Sequence, residues 1–169
     1  YQIWTMQSQF HNLPKINGYD QLAGRNYKAT NGQFSADKKR VKFSTDIAAA
    51  YPKEAGINKW ERSYQLDRGK RFIIKDQYVF SHMPENSSTL NFVTYCKVSQ
   101  NKPGTLTLQG EDYTLELTYN AKTTDPAIEL IPVTDNGLKR YWPNGVTRIV
   151  FTQKNPSLKG ENQITIMNK

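Results

Sequence analysis

Cysteine and histidine are scarce in this chain of 169 residues, which has one cysteine, Cys96, and two histidines, His11 and His82. A single cysteine excludes an intrachain disulfide and any zinc cluster built from cysteines. Because Cys96 lies inside the apolar run 91–98, we expect it to be a small buried side chain. A nucleophilic role is less favoured, since nothing in the sequence marks either histidine as the base for such a thiol.

Long apolar runs and the common catalytic motifs are missing as well. No stretch approaches the roughly 20 apolar residues that a transmembrane helix needs, so a membrane is not an expected partner. Glycine-rich phosphate loops, cysteine and histidine at zinc-binding spacing, and a serine nucleophile elbow are all absent from the sequence. The sequence therefore gives no motif-based support for a P-loop, zinc-finger or serine-hydrolase function.

Positive charge is in excess, with 23 Lys and Arg against 15 Asp and Glu, a formal net charge of +8. Such a balance favours polyanionic partners, which include acidic polysaccharide, nucleic acid and anionic lipid. The basic residues form three short clusters, at 38–40, 68–71 and 139–140, and they could also be ordinary solvated side chains. Nucleic acid is not expected as a partner, because no recognisable nucleic-acid motif accompanies the charge.

Alternation of apolar and polar residues dominates the sequence and predicts strands between turn-forming pairs such as Asn-Gly and Pro-Gly. Helix is almost absent from the pattern; one helical turn is expected at 46–51, capped by Asp46 and stopped by Pro52. The prediction is an all-β fold, an antiparallel double-sheet β-sandwich of the supersandwich type with about a dozen strands, forming one domain over 1–169. The predicted strands are Gln2–Met6, Arg25–Ala29, Arg40–Thr45, Trp60–Leu66, Arg71–Ile74, Gln77–Phe80, Leu90–Val98, Thr105–Gln109, Tyr113–Tyr119, Ile128–Val133, Thr147–Thr152 and Gln163–Met167.

The segment after the first predicted strand combines features of a rigid loop. His11 is followed by Asn12, Pro14 restricts the backbone, and an Asn-Gly pair at 17–18 is expected to reverse the chain. A rigid mount suits a functional side chain, and a neutral imidazole can serve as a metal ligand or a general base. The alternative is a loop histidine bonded to a backbone carbonyl.

The run from His11 to Gln21, His-Asn-Leu-Pro-Lys-Ile-Asn-Gly-Tyr-Asp-Gln, resembles the signature His-Asn-x-Pro-x-Ile-Asn-Gly-x-x-Gln of heparinase II/III-like polysaccharide lyases. In those proteins the signature stands at the start of the C-terminal β region. Segment 46–55, followed by Trp-Glu-Arg at 60–62, is similar to their Asp-x-x-x-Ala-Tyr segment leading to Trp-x-Arg. Residues 71–76 look like a family strand that ends in Asp. The resemblance covers about the first half of the chain; the second half matches only as a general β pattern.

This resemblance implies a C-terminal β-sandwich of a larger lyase that cleaves uronic-acid-containing polysaccharides by β-elimination. The chain starts within an alternating pattern, so we expect a missing part upstream, where the family has an α-helical toroid that holds most of the cleft and the main catalytic groups. The isolated chain is therefore expected to be inactive, with no catalytic residue assigned within it. The resemblance also implies a bacterial periplasmic or secreted location. Its expected partners are acidic polysaccharide and the upstream toroid.

Residue by residue, the resemblance carries over most directly at His11, which matches a family histidine that ligates a divalent metal or lies beside the site. Zinc or calcium is the expected ion, and its other ligands, a His-x-His pair and an Asp, would precede Tyr1. The metal site is therefore not expected to be complete within this chain. Asn12, Tyr19 and Gln21 are the candidate substrate-binding residues.

Structural roles remain open for each of these candidates. Asn12 can bond to the backbone in the turn, while Tyr19 and Gln21 can fill the surface of a strand pair. Tyr51, Trp60 and Arg62 are expected to pack together in the core or at a sheet edge rather than to act in catalysis. A different function also remains open, namely a non-catalytic carbohydrate-binding module for acidic polysaccharide.

Overall fold

The computed structural model describes residues 4–169 and contains twelve strands in two antiparallel sheets. The strands are β1 (Pro14–Lys15), β2 (Thr30–Ala36), β3 (Arg40–Asp46), β4 (Ile57–Asp67), β5 (Arg71–Phe80), β6 (Thr89–Thr94), β7 (Lys97–Lys102), β8 (Thr105–Gln109), β9 (Thr114–Thr118), β10 (Thr124–Ile131), β11 (Val146–Gln153) and β12 (Lys159–Asn168). The helical elements are four single 3₁₀ turns (Trp4–Met6, Ser8–Phe10, Ala48–Ala50 and Lys53–Ala55) and one short α-helix, α1 (Asn136–Lys139). The predicted all-β sandwich with very little helix is confirmed.

The two sheets differ in size. The smaller has four strands in the order β1-β6-β11-β10, and the larger has eight in the order β2-β3-β4-β5-β12-β9-β8-β7. Long strands occupy the middle of the large sheet, where β4 pairs with β5 and β5 with β12. The edges are β2, whose seven residues are all exposed, and β7, which is mostly exposed.

Apolar side chains that alternate along the strands form the core. Trp60, Leu106 and Ile164 from the large sheet, together with Ile149 and Phe151 from the small sheet, are at most 2% exposed. Burying a side chain of this size stabilises the fold by about 1.5–3 kcal/mol. The core cluster also contains Cys96, which is 3% exposed. The expectation of a buried cysteine is therefore confirmed.

Two predicted strands near the N-terminus are wrong. In place of the strand Gln2–Met6, residues 4–6 form a 3₁₀ turn, and Gln2 and Ile3 lie outside the described residues. In place of Arg25–Ala29 the strand is β2, which starts at Thr30. The pair at 31–32 is one of the Asn-Gly pairs that predict turns, but it lies inside β2, where Asn31 has a φ of 55° and the register with β3 shifts. The pair therefore forms a bulge within a strand.

Two other strand assignments differ in how the chain is divided. The predicted strands Arg71–Ile74 and Gln77–Phe80 are one continuous strand, β5, while the predicted strand Leu90–Val98 is interrupted at residues 95–96 between β6 and β7. At this interruption Cys96 N donates to Thr94 Oγ1 (3.0 Å), so a local side-chain bond replaces the ladder. The other predicted strands lie within a few residues of observed ones, whereas the two-residue strand β1 was not predicted.

The helical turns follow local side-chain chemistry. Asp46 Oδ1 accepts a hydrogen bond from Ala48 N (3.0 Å), and the 3₁₀ turn Ala48–Ala50 ends before Pro52, as predicted. The helix α1 was not predicted; Asp135 caps it, with Oδ1 accepting from Leu138 N (2.9 Å). Within residues 4–169 no helix has the length and apolar character needed to cross a membrane.

Candidate functional site

The loop that carries His11 is attached to the edge of the small sheet. β1 pairs with β6, and the Leu13 carbonyl accepts hydrogen bonds from both the backbone N (3.1 Å) and the side-chain Nδ2 (3.0 Å) of Asn91. Beyond β1, Ile16 and Tyr19 exchange backbone hydrogen bonds of 2.8–2.9 Å around the Asn17-Gly18 turn. The loop is thus held at both ends by the backbone.

Asn17 ties this turn to two other parts of the chain. It is 4% exposed and has a φ of 48°, a conformation that asparagine tolerates better than most residues. Its Oδ1 accepts from Asn86 N (2.8 Å), its Nδ2 donates to the Ala55 carbonyl (3.4 Å), and its backbone N donates to Ser88 Oγ (3.1 Å). This residue of the resemblance motif therefore has a structural role.

A buried ion pair anchors the loop to the large sheet. Arg62 on β4 and Asp76 on β5 are each 1% exposed and form two hydrogen bonds of 2.7 Å. Arg62 Nη1 also donates to the Asn12 carbonyl (2.7 Å), and Trp60 Nε1 donates to Asp76 Oδ1 (2.9 Å). Burial by itself would lower the pKa of Arg62, but the charge and hydrogen bonds of Asp76 outweigh it and raise that pKa. The guanidinium therefore stays charged and bonded to the loop.

Tyr51 also holds the loop that carries His11. Its hydroxyl donates to the Pro14 carbonyl (2.5 Å), and its side chain lies in the core. Burial strongly raises the pKa of Tyr51, so the phenol remains protonated at neutral pH. Tyr51, Trp60 and Arg62 are buried, as predicted, and they hold the loop rather than face solvent.

His11 lies on the exposed side of the loop. Its backbone N donates to the Ser8 carbonyl (3.0 Å) at the end of the 3₁₀ turn 8–10, and within residues 4–169 the imidazole has no hydrogen-bond partner. It lines an open groove of about 550 Å³ together with Asp20 and Gln21. The structure therefore brings His11 and Gln21 to one surface.

The other two candidates, Asn12 and Tyr19, are held by hydrogen bonds to backbone groups. Asn12 is exposed, and its Oδ1 accepts a hydrogen bond from Val93 N on β6 (2.9 Å). Tyr19 is 39% exposed and is anchored through its backbone bridge to Ile16. Both side chains retain exposed surface, and their role in substrate binding stays a prediction.

Asp20 is a groove residue that the sequence reasoning missed. Its Oδ1 is buried without a hydrogen-bond partner among the described residues, while its Oδ2 lies 3.6 Å from Lys15 Nζ. The Asp20 side chain as a whole is 41% exposed, so the carboxylate remains in contact with solvent. The available signal was the position of Asp20, an acidic residue directly before Gln21 in the rigid loop.

The described residues do not fit a complete metal centre. No group of three His, Cys, Asp or Glu side chains between residues 4 and 169 is arranged to hold an ion. His11 and Asp20 line one groove, but two side chains fall short of the three or four protein ligands usual for zinc.

A row of aromatic side chains on the large sheet runs from the core toward the exposed edge strand β2. Phe34, Phe43 and Tyr64 are cross-strand neighbours on β2, β3 and β4, and Phe72 on β5 extends the row. The ring centroids of Phe43 and Tyr64 are 6.2 Å apart, and those of Tyr64 and Phe72 are 6.1 Å apart. Phe34 is 72% exposed and Phe43 is 41% exposed, whereas Tyr64 and Phe72 are half-buried against the core. We call these four residues the aromatic strip; exposed apolar patches of this kind often mark binding surfaces.

Comparison with known proteins gives a fold and no close relative. No family model matches the chain, and no curated protein matches it. Among solved structures, a heparan sulfate lyase from Pedobacter heparinus matches with a TM-score of 0.72 at 13% identity, over 98% of this chain and 25% of that one. A structure described as a heparinase III gene product matches with a TM-score of 0.70 at 14% identity over 98% and 25%, and another heparinase III with 0.64 at 11% over 98% and 24%.

These matches confirm the fold that the loop motifs implied. Nearly the whole chain superposes on part of each lyase, although the identity of 11–14% shows shared fold alone. The chain spans about a quarter of the length of these structures.

Proposed function

We propose that this chain is the C-terminal β-sandwich of a polysaccharide lyase that cleaves uronic-acid-containing polysaccharide by β-elimination. The observation that carries the proposal is the fold match over 98% of the chain to heparan sulfate lyases. The rigid mounting of the resemblance motif, with His11 exposed beside a groove, supports it. In this role the sandwich forms one wall of the substrate cleft.

The chemistry explains why the isolated sandwich is expected to be inactive. β-Elimination needs a group that neutralises the uronate carboxylate, a base for the C5 proton and an acid for the leaving oxygen. His11 can supply one of these functions or orient the sugar, but Tyr51 is buried and bonded to Pro14 and cannot supply another. The remaining groups belong in this proposal to the upstream toroid.

The proposal assigns the intact protein to the bacterial periplasm or exterior, where its acidic polysaccharide substrate would be found. A divalent metal, zinc or calcium, belongs to it only if further ligands come from outside the described residues, and no step here depends on one.

The test is a titration of the isotopically labelled chain with uronate oligosaccharides, followed by NMR, together with an assay for the ultraviolet absorbance of the unsaturated product. We expect shift changes around the groove of His11, Asp20 and Gln21, and no product. The variant His11→Ala should weaken binding, while His82→Ala, at an exposed loop histidine bonded to Ser81 Oγ, should not. Binding unaffected by His11→Ala would contradict the proposal, and product formed by the isolated chain would contradict the assignment of the other catalytic groups to the upstream toroid.

A second candidate function is a non-catalytic carbohydrate-binding module, which the aromatic strip favours. The exposed rings of Phe34 and Phe43 offer apolar contact to a sugar ring. Under this alternative, Phe34→Ala should abolish binding, whereas Leu130→Ala, at a similarly exposed apolar position (69% exposed) on β10, should not. Binding lost on Phe34→Ala but retained in His11→Ala would favour the module over the lyase wall.

A further inference from the structure

Two turns that are about 30 residues apart in the sequence lie side by side at one end of the large sheet. The turn between β2 and β3 spans 37–39, and the turn between β4 and β5 spans 68–70. Arg68 N donates to the Lys39 carbonyl (2.9 Å), which joins the turns directly. Because β3 pairs with β4, the two basic clusters that flank these turns form one surface.

Half of the net charge of the chain is concentrated there. Residues 37–40 and 67–71 carry six basic and two acidic side chains, a net charge of +4 out of +8. All six basic side chains are exposed, and they line an open groove of about 660 Å³ that extends to Met167. We call this the two-turn surface: Lys38, Lys39, Arg40, Arg68, Lys70 and Arg71.

Asp67 orders the two arginines at its centre. Its Oδ1 accepts from Arg40 Nε (2.7 Å) and its Oδ2 from Arg71 Nε (2.9 Å). Hydrogen bonds from Arg71 and Arg40 lower the pKa of Asp67 to about 2, so the carboxylate stays ionised under ordinary conditions. Among the described residues these guanidiniums donate side-chain hydrogen bonds through Nε alone, and both are about half exposed. Their Nη groups are therefore open to an external anion, and the planar fork suits sulfate or carboxylate.

We infer that the two-turn surface is a second binding site of the chain, separate from the groove at His11, and that it holds the sulfate and carboxylate groups of an acidic polysaccharide. Arg62, which contacts the His11 loop, and Arg68 are six residues apart along β4 and its turn, about 20 Å at the rise of a strand. A polysaccharide held here would be tethered to the protein away from the cleft. Arg40 and Arg71 would grip one acidic group while the lysines attract its neighbours.

The chemistry of the surface favours polysaccharide over nucleic acid. Single-stranded nucleic acids are usually bound by aromatic side chains that stack on bases, and no aromatic residue lines this groove. Duplex binding would require phosphate contacts alone. The choice between the two polyanions also rests on the proposed function.

The experiment measures heparin affinity by calorimetry at several salt concentrations for the wild-type chain and for matched variants. Lys38→Ala with Lys39→Ala removes two charges from the two-turn surface, and Lys139→Ala with Arg140→Ala removes two exposed charges at α1. We expect the first pair to weaken heparin binding about tenfold and to flatten its salt dependence, and the second pair to weaken it less than about twofold. Arg40→Lys with Arg71→Lys keeps the charge but loses the fork, so it should weaken binding as well.

Several results would contradict parts of this inference. Equal losses in the two charge-removal pairs, or no heparin binding, would overturn the inference. A DNA duplex or single strand of matched charge bound as tightly as heparin would overturn the choice of polysaccharide. His11→Ala should leave the two-turn surface intact; heparin affinity lost in that variant and unchanged in the lysine pair would contradict this inference while supporting the proposed function. Circular dichroism establishes that each variant is folded.

Discussion

At the scale of single residues, the buried Arg62–Asp76 pair connects the large sheet to the loop that carries His11. Each partner is 1% exposed; Arg62 also donates to the Asn12 carbonyl, and Asp76 also accepts from the Trp60 indole. A charge left without its partner at this depth would have neither water nor a counterion. The pair therefore controls both stability and the position of the loop.

Asp76→Asn should lower the free energy of unfolding by about 3–5 kcal/mol, since it leaves the Arg62 guanidinium buried without a counter-charge. Urea denaturation followed by tryptophan fluorescence measures this change. The matched control is Glu61→Gln, which breaks the exposed pair with Lys59 (2.8 Å) and should cost at most about 1 kcal/mol. Similar losses in the two variants would show that the buried pair contributes no more to stability than an exposed one.

Asp67, through its ion pairs, should make the stability of the chain depend on pH in the acid range. Its folded-state pKa of about 2 lies below the ordinary value of 3.8, so its contribution to stability is fully present above pH 4. That contribution is lost as the pH falls from about 4 toward 2 and the carboxylate takes up a proton. A carboxyl NMR titration should give a pKa near 2 for Asp67, rising toward the ordinary value in Arg40→Gln with Arg71→Gln. A wild-type value close to 4 would mean that the arginines do not engage it.

At the scale of elements, the Asn17-Gly18 turn determines where the His11 loop lies. Gly18 has a φ of 85°, and a Cβ there would meet the Asn86 side chain at 3.3 Å. Gly69 in the β4–β5 turn has a φ of 69°, but a Cβ there would meet nothing within 4 Å. An alanine at Gly69 would therefore meet backbone strain alone, whereas an alanine at Gly18 would meet both strain and a steric contact.

Gly69→Ala should destabilise the chain by about 1 kcal/mol through backbone strain alone. Gly18→Ala should cost more, and it should also shift the amide resonances of residues 11–21 because Asn86 must move. Thermal unfolding and ¹H–¹⁵N spectra of the two variants make the comparison. Equal destabilisation, with the loop resonances unchanged in Gly18→Ala, would rule out a role for the Asn86 contact.

How far the sequence predicts the elements depends on how local their causes are. The strands of the core and the Asp46 turn follow from alternation and local bonds, and they are where the pattern places them. The Asn-Gly pair at 31–32 misled the prediction because the same dipeptide makes a hairpin turn or a bulge, depending on the partner strand.

The candidate site shows the same limit. The turn at 17–18 was predicted from the motif, whereas the exposure of His11 and the buried oxygen of Asp20 depend on packing that a sequence does not display. The two basic clusters were visible separately, at 38–40 and 68–71. That the two clusters form one surface could not be predicted, because it depends on the pairing of β3 with β4.

At the scale of the whole molecule, the large sheet extends beyond the core. Its inner face is buried at Trp60, Arg62 and Ile74, but the same face carries the aromatic strip toward the exposed edge strand β2. Stability should therefore be uneven across the sheet, high where β5 and β12 pair and low at the β2–β3 hairpin.

Native-state hydrogen exchange should reveal this gradient. Amides in β5 and β12 that bond within the sheet should exchange only through global unfolding, while those of β2 should exchange faster, through local opening of the hairpin. Phe34→Ala should leave the slowest amides unchanged because the ring is 72% exposed. Protection of β2 equal to that of β12, increasing with protein concentration, would instead indicate that the edge strand and the aromatic strip are covered by a second copy of the chain. In that case the strip would be an interface between copies, and the carbohydrate-binding alternative would lose the observation that favours it.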